Sequence, residues 1–156
     1  MIHKGVNYHF FWGGIFSNWY ISDFEVDGVV YDCGEQYMMH MKALTFKDYK
    51  TADEIMEECV PSEQKKLGRK VKNYNDAVWN KVRYDLVKKG LREKFTQNPE
   101  SKKHLLNFKN RQLVEASPFD RIWGIGYNSQ DAIANIDNWG ENLLGKMLTE
   151  LAQEIK

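Results

Sequence analysis

The sequence predicts a mainly α-helical α+β fold, a single domain over residues 1–156 that carries a small antiparallel β-sheet. Three observations predict it. The chain has 156 residues, 42% of them apolar, which is the size of one domain and enough to bury a core without disulfides or metals. Apolar residues recur at helical spacing through the middle and the end of the chain. In the first third, an Asp-Gly dipeptide separates two short apolar runs.

The first predicted elements are two strands joined by a tight turn. Asp27-Gly28 lies between apolar runs that begin at Phe24 and end at Tyr31. Both central residues of a two-residue hairpin turn need a positive φ, which Asp-Gly tolerates well. The preceding segment, 11–20, combines large aromatics with two glycines and a Ser-Asn pair, and we expect a loop there.

A helix over residues 33–46 follows the hairpin. Asp32-Cys-Gly-Glu35 has the form of a capping box, in which the side chains of Asp32 and Glu35 meet free amides of the first turn. Tyr37, Met41 and Leu44 then recur at helical spacing. This reading gives Glu35 a purely structural role, and the sequence leaves that role open beside a catalytic one.

The middle and the end of the chain are also predicted to be helical. Helix starts are expected at Thr51, Ser62, Asn75 and Asn98-Pro99. The helix from Asn75 is long, and its expected apolar face consists of Val78, Trp79, Val82 and Leu86. A short strand is expected over 112–116, and segment 117–128 has no period. The last helix carries Leu144, Met147, Leu148, Leu151 and Ile155 on one face.

The composition excludes some functional classes of protein. Lys plus Arg is 22 and Asp plus Glu is 22, so the formal net charge is zero. A nucleic-acid protein of the bulk-basic kind is excluded, although a local basic groove is not. The two cysteines, Cys33 and Cys59, suggest reduced thiols in a cytoplasmic protein. We expect no signal peptide and no membrane association, because no apolar run approaches the length of a bilayer span.

Four segments break the pattern of a simple core, and such segments tend to be functional. The first is the aromatic loop 11–20. The second holds Glu35 and Lys42, which are seven residues apart and therefore lie on one helix face, about 10 Å apart along the axis. The third is Asp120-x-x-Trp123-Gly-x-Gly126, and the fourth is 138–142. Each has a structural alternative: Lys42 as a solvated lysine, and Trp79 and Trp123 as core residues.

The sequence lacks the motifs of several common cofactor and metal sites. Gly124-Ile-Gly126 lacks the third glycine of a dinucleotide fingerprint, and no Walker loop is present. The four histidines show no metal-ligand spacing. We therefore expect neither a metal nor a cofactor.

Taken in order, these segments resemble the NADAR superfamily, whose best-known members are YbiA-like N-glycosidases that act on riboflavin-pathway intermediates. The residues that carry the resemblance are Phe16-Ser-Asn18, Gly34-Glu-Gln-Tyr-Met-Met-His-Met-Lys-Ala43, Leu67-Gly-Arg69, Trp79, Leu91-Arg-Glu-Lys-Phe95, Leu113-Val-Glu115, Asp120-Arg-Ile-Trp-Gly124 and Gly140-Glu-Asn-Leu-Leu-Gly-Lys146. The resemblance implies a compact, mainly helical fold that cleaves the C–N bond between a ribose anomeric carbon and a nitrogenous group. Gln36 and Ile125 depart from the family pattern, and we expect both at the pocket rim.

The resemblance assigns roles to ten residues. The expected catalytic residues are Glu35, Lys42 and Asp120, and the expected substrate-binding residues are Ser17, Asn18, Arg69, Trp79, Trp123, Gly124 and Asn142. A carboxylate such as Glu35 stabilises oxocarbenium character or activates water, with Asp120 as a second acid or a hydroxyl ligand. Lys42 either binds a phosphate or attacks the sugar carbon to form a Schiff base. Arg69 is a candidate phosphate ligand, and Trp79 and Trp123 are candidates for stacking on the base.

Three functions remain open at this stage. The first is an N-glycosidase on small phosphoribosylamino-pyrimidines of riboflavin biosynthesis, and the second is a hydrolase that removes ADP-ribose from guanine in nucleic acid. The third is a non-catalytic module that binds NAD or ADP-ribose. The zero net charge favours a small-molecule substrate, whereas the basic run formed by Lys65, Lys66, Arg69, Lys70 and Lys72 is either a nucleic-acid contact or a solvated helix end.

Overall fold

Helices dominate the fold, with two small sheets beside them. The computed structural model describes residues 6–156. Its strands are β1 (Tyr8–Phe11), β2 (Phe24–Val26), β3 (Val29–Tyr31) and β4 (Gln112–Glu115). Its α-helices are α1 (Gly34–Thr45), α2 (Tyr49–Glu57), α3 (Pro61–Gly68), α4 (Asp76–Gln97), α5 (Pro99–Asn107) and α6 (Leu143–Glu154), and Ile133–Asn138 forms a 3₁₀ helix. The predicted mainly helical α+β class is confirmed.

The elements form two compact units. The N/C unit comprises residues 6–17 together with Pro99–Lys156, and the central unit is Asn18–Asn98. The N/C unit holds β1, β4, α5, the 3₁₀ helix and α6. The central unit holds the β2–β3 hairpin and α1 to α4.

The central unit is built around α1. The hairpin forms as predicted: β2 and β3 pair antiparallel, and Asp27 and Gly28 have φ values of 51° and 85°. Helix α1 packs against α2, α3 and α4. A buried aromatic cluster of Phe24, Tyr31 and Tyr37 joins the hairpin to α1. The first helix is therefore held on several sides, which fixes the side chains that it presents.

Two helix starts differ from the prediction. The second helix begins at Tyr49 rather than Thr51, because the Asp48 side chain caps it by accepting from the Thr51 amide at 3.2 Å. The third begins at Pro61, one residue before Ser62, with no side-chain cap. The starts at Asn75 and at Asn98-Pro99 are confirmed. An aspartate three residues before Thr51 was the missed capping signal.

The buried face of α4 also differs from the prediction. Trp79 is buried as expected, but Val78 is 44% exposed. The buried residues of this helix are Trp79, Arg83, Val87, Gly90, Leu91, Lys94 and Phe95. A scan for apolar residues misses this face because it contains two cations and a glycine. Gly90 is required there, since a Cβ on it would lie 2.1 Å from Cε1 of Tyr37.

The N/C unit pairs strands that are far apart in the chain. Strands β1 and β4 run parallel, with Tyr8 opposite Gln112 and Phe11 opposite Glu115. The strand over 112–116 is confirmed, but its parallel partner was not predicted, because no local signal marks such a pair. Helix α6 packs against β4, and its predicted apolar face is buried. No helix within residues 6–156 is both long and apolar enough to cross a bilayer.

Candidate active site

Helix α1 carries two of the three predicted catalytic residues. Glu35 is the second residue of the helix, and its side chain is buried, with 4% of the residue exposed. The Glu35 amide donates to the Asn18 carbonyl at 2.8 Å, which fixes the start of the helix. Lys42 lies two turns further on and is half-buried. A buried carboxylate near a half-buried amine, on one rigid helix, is an arrangement that catalysis commonly uses.

Capping interactions are present at the start of α1, but they involve Cys33 and Gln36, each one residue after the predicted Asp32 and Glu35. Cys33 is the N-cap, and its sulfur accepts from the Gln36 amide at 3.4 Å. Gln36 Oε1 accepts from the Asp32 amide at 2.8 Å, so Gln36 makes the return bond expected of Glu35. Gln64 Nε2 donates to the Asp32 carboxylate. The capping explanation for Glu35 therefore no longer applies.

Gln36 belongs to the framework of the central unit. It is 3% exposed, and its amide nitrogen lies 3.2 Å from the Ile55 carbonyl at the end of α2. The same nitrogen lies 3.4 Å from the carbonyls of Met56 and Glu58. Ile125, in the N/C unit, is also fully buried. Gln36 and Ile125 therefore lie in the interior of their units and not at an exposed pocket rim as expected.

The pKa of Lys42 lies below that of a solvated lysine. Burial lowers the pKa of Lys42, the Glu35 charge acts in the opposite direction, and the Arg69 charge lowers it further. Its Nζ lies 4.5 Å from the centre of the Tyr74 ring, a cation–π distance. Burial is the largest of these effects. Lys42 is therefore not the simple solvated lysine of the structural alternative.

A cleft of about 360 Å³ opens at the carboxyl end of α3. Its lining residues are Glu58, Glu63, Lys66, Leu67, Arg69 and Lys70. Arg69 caps the C-terminus of α3 and is exposed, while Lys66 pairs with Glu63 at 2.9 Å. Part of the basic run is thus a solvated helix end, which was one of its two predicted interpretations, and part of it lines the cleft.

Asn18 is held against the start of α1. It is 7% exposed, and its Oδ1 has no hydrogen-bond partner among residues 6–156. A Cβ on Gly34 would lie 2.6 Å from that oxygen, so only glycine permits the approach. A buried amide oxygen without a partner costs free energy, which a bound hydroxyl group would recover.

Trp79 does not form an open surface on which a base could stack. It is 5% exposed on the buried face of α4, which agrees with its structural alternative as a core residue. Trp123, in the N/C unit, is half-buried. Of the two indoles, Trp123 presents more surface to a ligand.

Asp120 shapes the loop that carries Trp123. Its Oδ1 accepts from the amides of Ile122 and Trp123, each at 2.9 Å, and this turn orients the segment. Asp120 itself is half-exposed. One of its two carboxylate oxygens is thus used for the loop. Ser17, also half-buried, closes a turn by donating from its amide to the Gly14 carbonyl at 2.9 Å.

Asn142 fastens the start of α6 to β4. Its Oδ1 accepts from the Glu115 amide at 3.0 Å, and its Nδ2 donates to the Leu113 carbonyl at 3.2 Å. Its φ is 52°, in the left-handed region that asparagine tolerates. The Asn142 amide donates to the Gly124 carbonyl at 3.1 Å. Asn142 therefore acts on the Trp123–Gly124 segment through the backbone.

The structure thus assembles the predicted residues in two groups. The central unit brings Glu35, Lys42 and Arg69 into electrostatic contact around α1. The N/C unit brings Asp120, Trp123, Gly124 and Asn142 into one hydrogen-bonded segment. Sequence reasoning missed Tyr74 because it lies in the aperiodic stretch between α3 and α4. Residues 6–156 hold no group of three or more His, Cys, Asp or Glu arranged to bind a metal ion.

Comparisons with known proteins give one consistent result. The NADAR domain model matches residues 10–156. N-glycosidase R617 of Acanthamoeba polyphaga mimivirus is 44% identical, over 90% of this chain and 86% of that protein. N-glycosidase YbiA of Escherichia coli is 30% identical, over 91% and 81%. The NMR structure of E. coli YbiA superposes with a TM-score of 0.78 at 28% identity, covering 96% of this chain and 84% of that one.

Proposed function

This chain belongs to the NADAR family and is an N-glycosidase, and we propose that it hydrolyses the bond between ribose C1′ and nitrogen in phosphoribosylamino-pyrimidine intermediates of riboflavin biosynthesis. The observation that supports a phosphorylated sugar is the grouping of Glu35, Lys42 and Arg69, one buried carboxylate beside two cations. We further propose a cytoplasmic location, with a small molecule as the substrate. The free thiols of Cys33 and Cys59 are consistent with it.

Glu35 supplies the negative charge that the reaction needs. As the C–N bond stretches, positive charge develops on C1′ and on the ring oxygen of the sugar. A carboxylate removed from water interacts with that charge more strongly than a solvated one does. Glu35 is buried and is fixed at the start of α1 by the Asn18 carbonyl. It either stabilises the developing cation or orients the attacking water.

Lys42 has two possible roles, and the nucleophile is the one that we propose. In that role the neutral amine attacks C1′, the C–N bond to the base breaks, and the base leaves with a proton. In the glycosylamine that results, the C1′–O4′ bond of the sugar ring then breaks, O4′ takes up a proton, and Nζ and C1′ form a protonated iminium. Water hydrolyses this iminium, which releases the ribose and restores the amine. Burial lowers the pKa of Lys42, so a larger fraction of the amine is neutral. In the other role, the ammonium binds phosphate as a point charge.

Arg69 and Asn18 fit the two ends of the sugar phosphate. The guanidinium of Arg69 offers paired donors to phosphate oxygens at the edge of the α3 cleft. The Oδ1 of Asn18 accepts a hydrogen bond from a ribose hydroxyl beside Glu35. In the N/C unit, we assign Asp120 as the second acid or a hydroxyl ligand, and Trp123 as a surface for the base.

The test is to replace Glu35 by glutamine, which keeps the side-chain shape and removes the charge. Because charge stabilisation and general base catalysis each contribute about 10²–10⁴-fold, we expect turnover to fall by at least about 100-fold. The matched control is Glu100→Gln, an exposed glutamate in the first turn of α5. Free base is measured by mass spectrometry from a panel of riboflavin intermediates, NAD, ADP-ribose and ADP-ribosylated guanine. Full turnover by a folded Glu35→Gln variant contradicts the proposal.

Borohydride trapping separates the two roles of Lys42. Reduction during turnover converts an iminium into a stable amine, which adds the mass of the reduced sugar to the α1 peptide. We expect the adduct with the natural chain and none with Lys42→Arg. If the natural chain turns over substrate and gives no adduct, Lys42 binds phosphate instead.

A second candidate function is removal of ADP-ribose from guanine in nucleic acid. One observation favours it: Lys66, Arg69 and Lys70 line a cleft that is open to solvent. A nucleic-acid substrate makes cleavage sensitive to salt, because phosphate contacts release counterions. Faster cleavage of ADP-ribosylated oligonucleotide than of any small riboside, with a steep loss at high salt, supports this candidate over the first.

A further inference from the structure

The amine of Lys42 stands at the end of a flexible side chain. A lysine loses much rotamer freedom when its amine is fixed in one place, and the helix itself fixes only the backbone of the residue. The Nζ of Lys42 lies 4.5 Å from the centre of the Tyr74 ring, which is a cation–π distance. The ring of Tyr74 therefore offers the amine a defined position.

Tyr74 is brought to Lys42 by the end of α1. Phe46, the C-cap of this helix, follows Lys42 by four residues, so the two side chains are neighbours on one face. The rings of Tyr74 and Phe46 have centres 5.3 Å apart, and their planes meet at 66°. A ring that packs on Phe46 therefore lies beside the Lys42 side chain.

The segment that carries Tyr74 is fixed on both sides of that residue. Before it, the Lys72 amide donates to Oδ2 of Asp48 at 2.9 Å, and Asn73 has a φ of 60°, which asparagine tolerates. After it, the Tyr74 hydroxyl donates to Oδ1 of Asp76 at 2.8 Å, in the first turn of α4. The ring is therefore anchored through its own hydroxyl, although Tyr74 is 41% exposed.

Two opposing effects act on the charge of the Lys42 amine. Burial lowers its pKa, whereas an aromatic face attracts the ammonium and not the neutral amine, so the ring contact raises the pKa. The other charged groups that act on this amine or on the ring are Glu35 of α1, Arg69 at the end of α3, and Asp76 and Arg83 of α4. All of these residues belong to the central unit.

We propose that Tyr74 is a positioning residue for Lys42, whose Nζ it holds against one face of its ring at the place from which the amine attacks the sugar carbon. The inference rests on the proposed function in one respect, that Lys42 is the nucleophile. Tyr74 acts through Lys42 and makes no contact of its own with the reacting atoms. An amine that is already confined loses less freedom on reaching the reactive geometry, so its attack is faster than that of a freely rotating lysine.

The test measures the charge and the position of the amine separately. The pKa of Lys42 is followed by NMR through its ε-carbon signal, which the Lys42→Arg variant identifies. Position is measured by trapping with ribose 5-phosphate. The neutral amine condenses with the sugar aldehyde, the carbonyl oxygen leaves as water, and cyanoborohydride reduces the imine. Mass spectrometry compares the adduct on Lys42 with that on Lys81, an exposed lysine of α4 in the same sample.

Two variants of Tyr74 isolate the effect of the ring. Tyr74→Leu keeps an apolar side chain without an aromatic face, Tyr74→Phe keeps the face, and both lose the bond to Asp76. Relative to Tyr74→Phe, we expect Tyr74→Leu to lower the Lys42 pKa by roughly 0.4–1.5 pH units, the shift that corresponds to a cation–π contact. More of the amine is then neutral, yet the adduct per neutral amine should fall roughly 3- to 30-fold, because the lysine regains its rotamer freedom.

The control is Tyr49→Leu, which removes a ring that is 60% exposed at the start of α2 and should change neither measurement. If folded Tyr74→Leu and Tyr74→Phe agree in either measurement, the proposal is wrong, because the ring then does not set both the charge and the position. An absence of adduct on Lys42 of the natural chain also overturns it. Failure of the riboflavin intermediates to react would contradict the proposed substrate and leave both measurements on Tyr74 unaffected.

Discussion

Replacing Gly90 by alanine tests whether α4 holds α1 in place. The added Cβ would lie 2.1 Å from Cε1 and 2.3 Å from Cδ1 of Tyr37. Carbon atoms at rest are about 3.5–4.0 Å apart, so the ring has to move by about 1.4 Å or more. Tyr37 is 1% exposed, and its hydroxyl donates to the Leu86 carbonyl at 2.7 Å. The ring therefore has no free space to move into.

The expected cost follows from three contributions. Overpacking costs about 1–3 kcal/mol, and a strained or broken Tyr37 hydrogen bond adds about 0.5–1.5 kcal/mol. Alanine recovers about 1 kcal/mol through its higher helix propensity. The free energy of unfolding should therefore fall by roughly 0.5–3.5 kcal/mol. Since Tyr37 belongs to α1, turnover should fall as well, because Glu35 and Lys42 shift with the helix.

Urea unfolding followed by circular dichroism measures the change in stability. The control is a double-mutant cycle with Tyr37→Leu, which removes the ring that Gly90→Ala strikes. In that background the alanine should be neutral or stabilising. A Gly90→Ala single variant as stable as the natural chain, with unchanged turnover, would refute the reasoning.

Three further predictions concern the site. If Lys42 attacks as an amine, kcat/KM should rise with pH and level off above a pKa that lies below the ordinary 10.5. Arg69→Gln removes a cation that lowers this pKa, so it should move the inflection of the pH–rate profile to higher pH. Asn142→Ala loses two hydrogen bonds to β4 and strains a left-handed residue, so thermal or urea unfolding should show a loss of about 2–4 kcal/mol, part of which Asn142→Gly should restore. Gly34→Ala should displace the Asn18 amide and raise KM in steady-state assays while the fold survives; an unchanged KM would argue against a ribose contact there.

Local signals in the sequence predicted local structure well. Asp27-Gly28 fixed the hairpin because few residue pairs tolerate two positive φ values, and both are positive. The Asn75 cap and the final apolar face were equally visible, since each depends on residues within a few positions. The first helix began close to its predicted residue, although the cap proved to be Cys33 with Gln36. A thiol is an uncommon cap, and no simple rule favours it over an aspartate.

Features that depend on contacts between distant residues could not be predicted from the sequence. The partner of β4 is β1, about 100 residues earlier, and nothing in either strand identifies the other. The buried face of α4 contains Arg83 and Lys94, whose burial depends on the neighbouring elements. Glu35 and Lys42 were found because both lie on one helix, where spacing alone determines their separation. The cation–π contact with Tyr74 required the fold of an aperiodic turn.

The pairing of β1 with β4 sets an order of events during synthesis. Tyr8 lies opposite Gln112, so after Tyr8 another 104 residues must leave the ribosome before its partner is complete. At about 5–20 residues per second, β1 waits roughly 5–20 s for its partner. During that interval an aromatic strand with unsatisfied backbone groups is open to pairing with other nascent chains. We therefore expect chaperones that cover emerging aromatic segments to increase the yield of this protein.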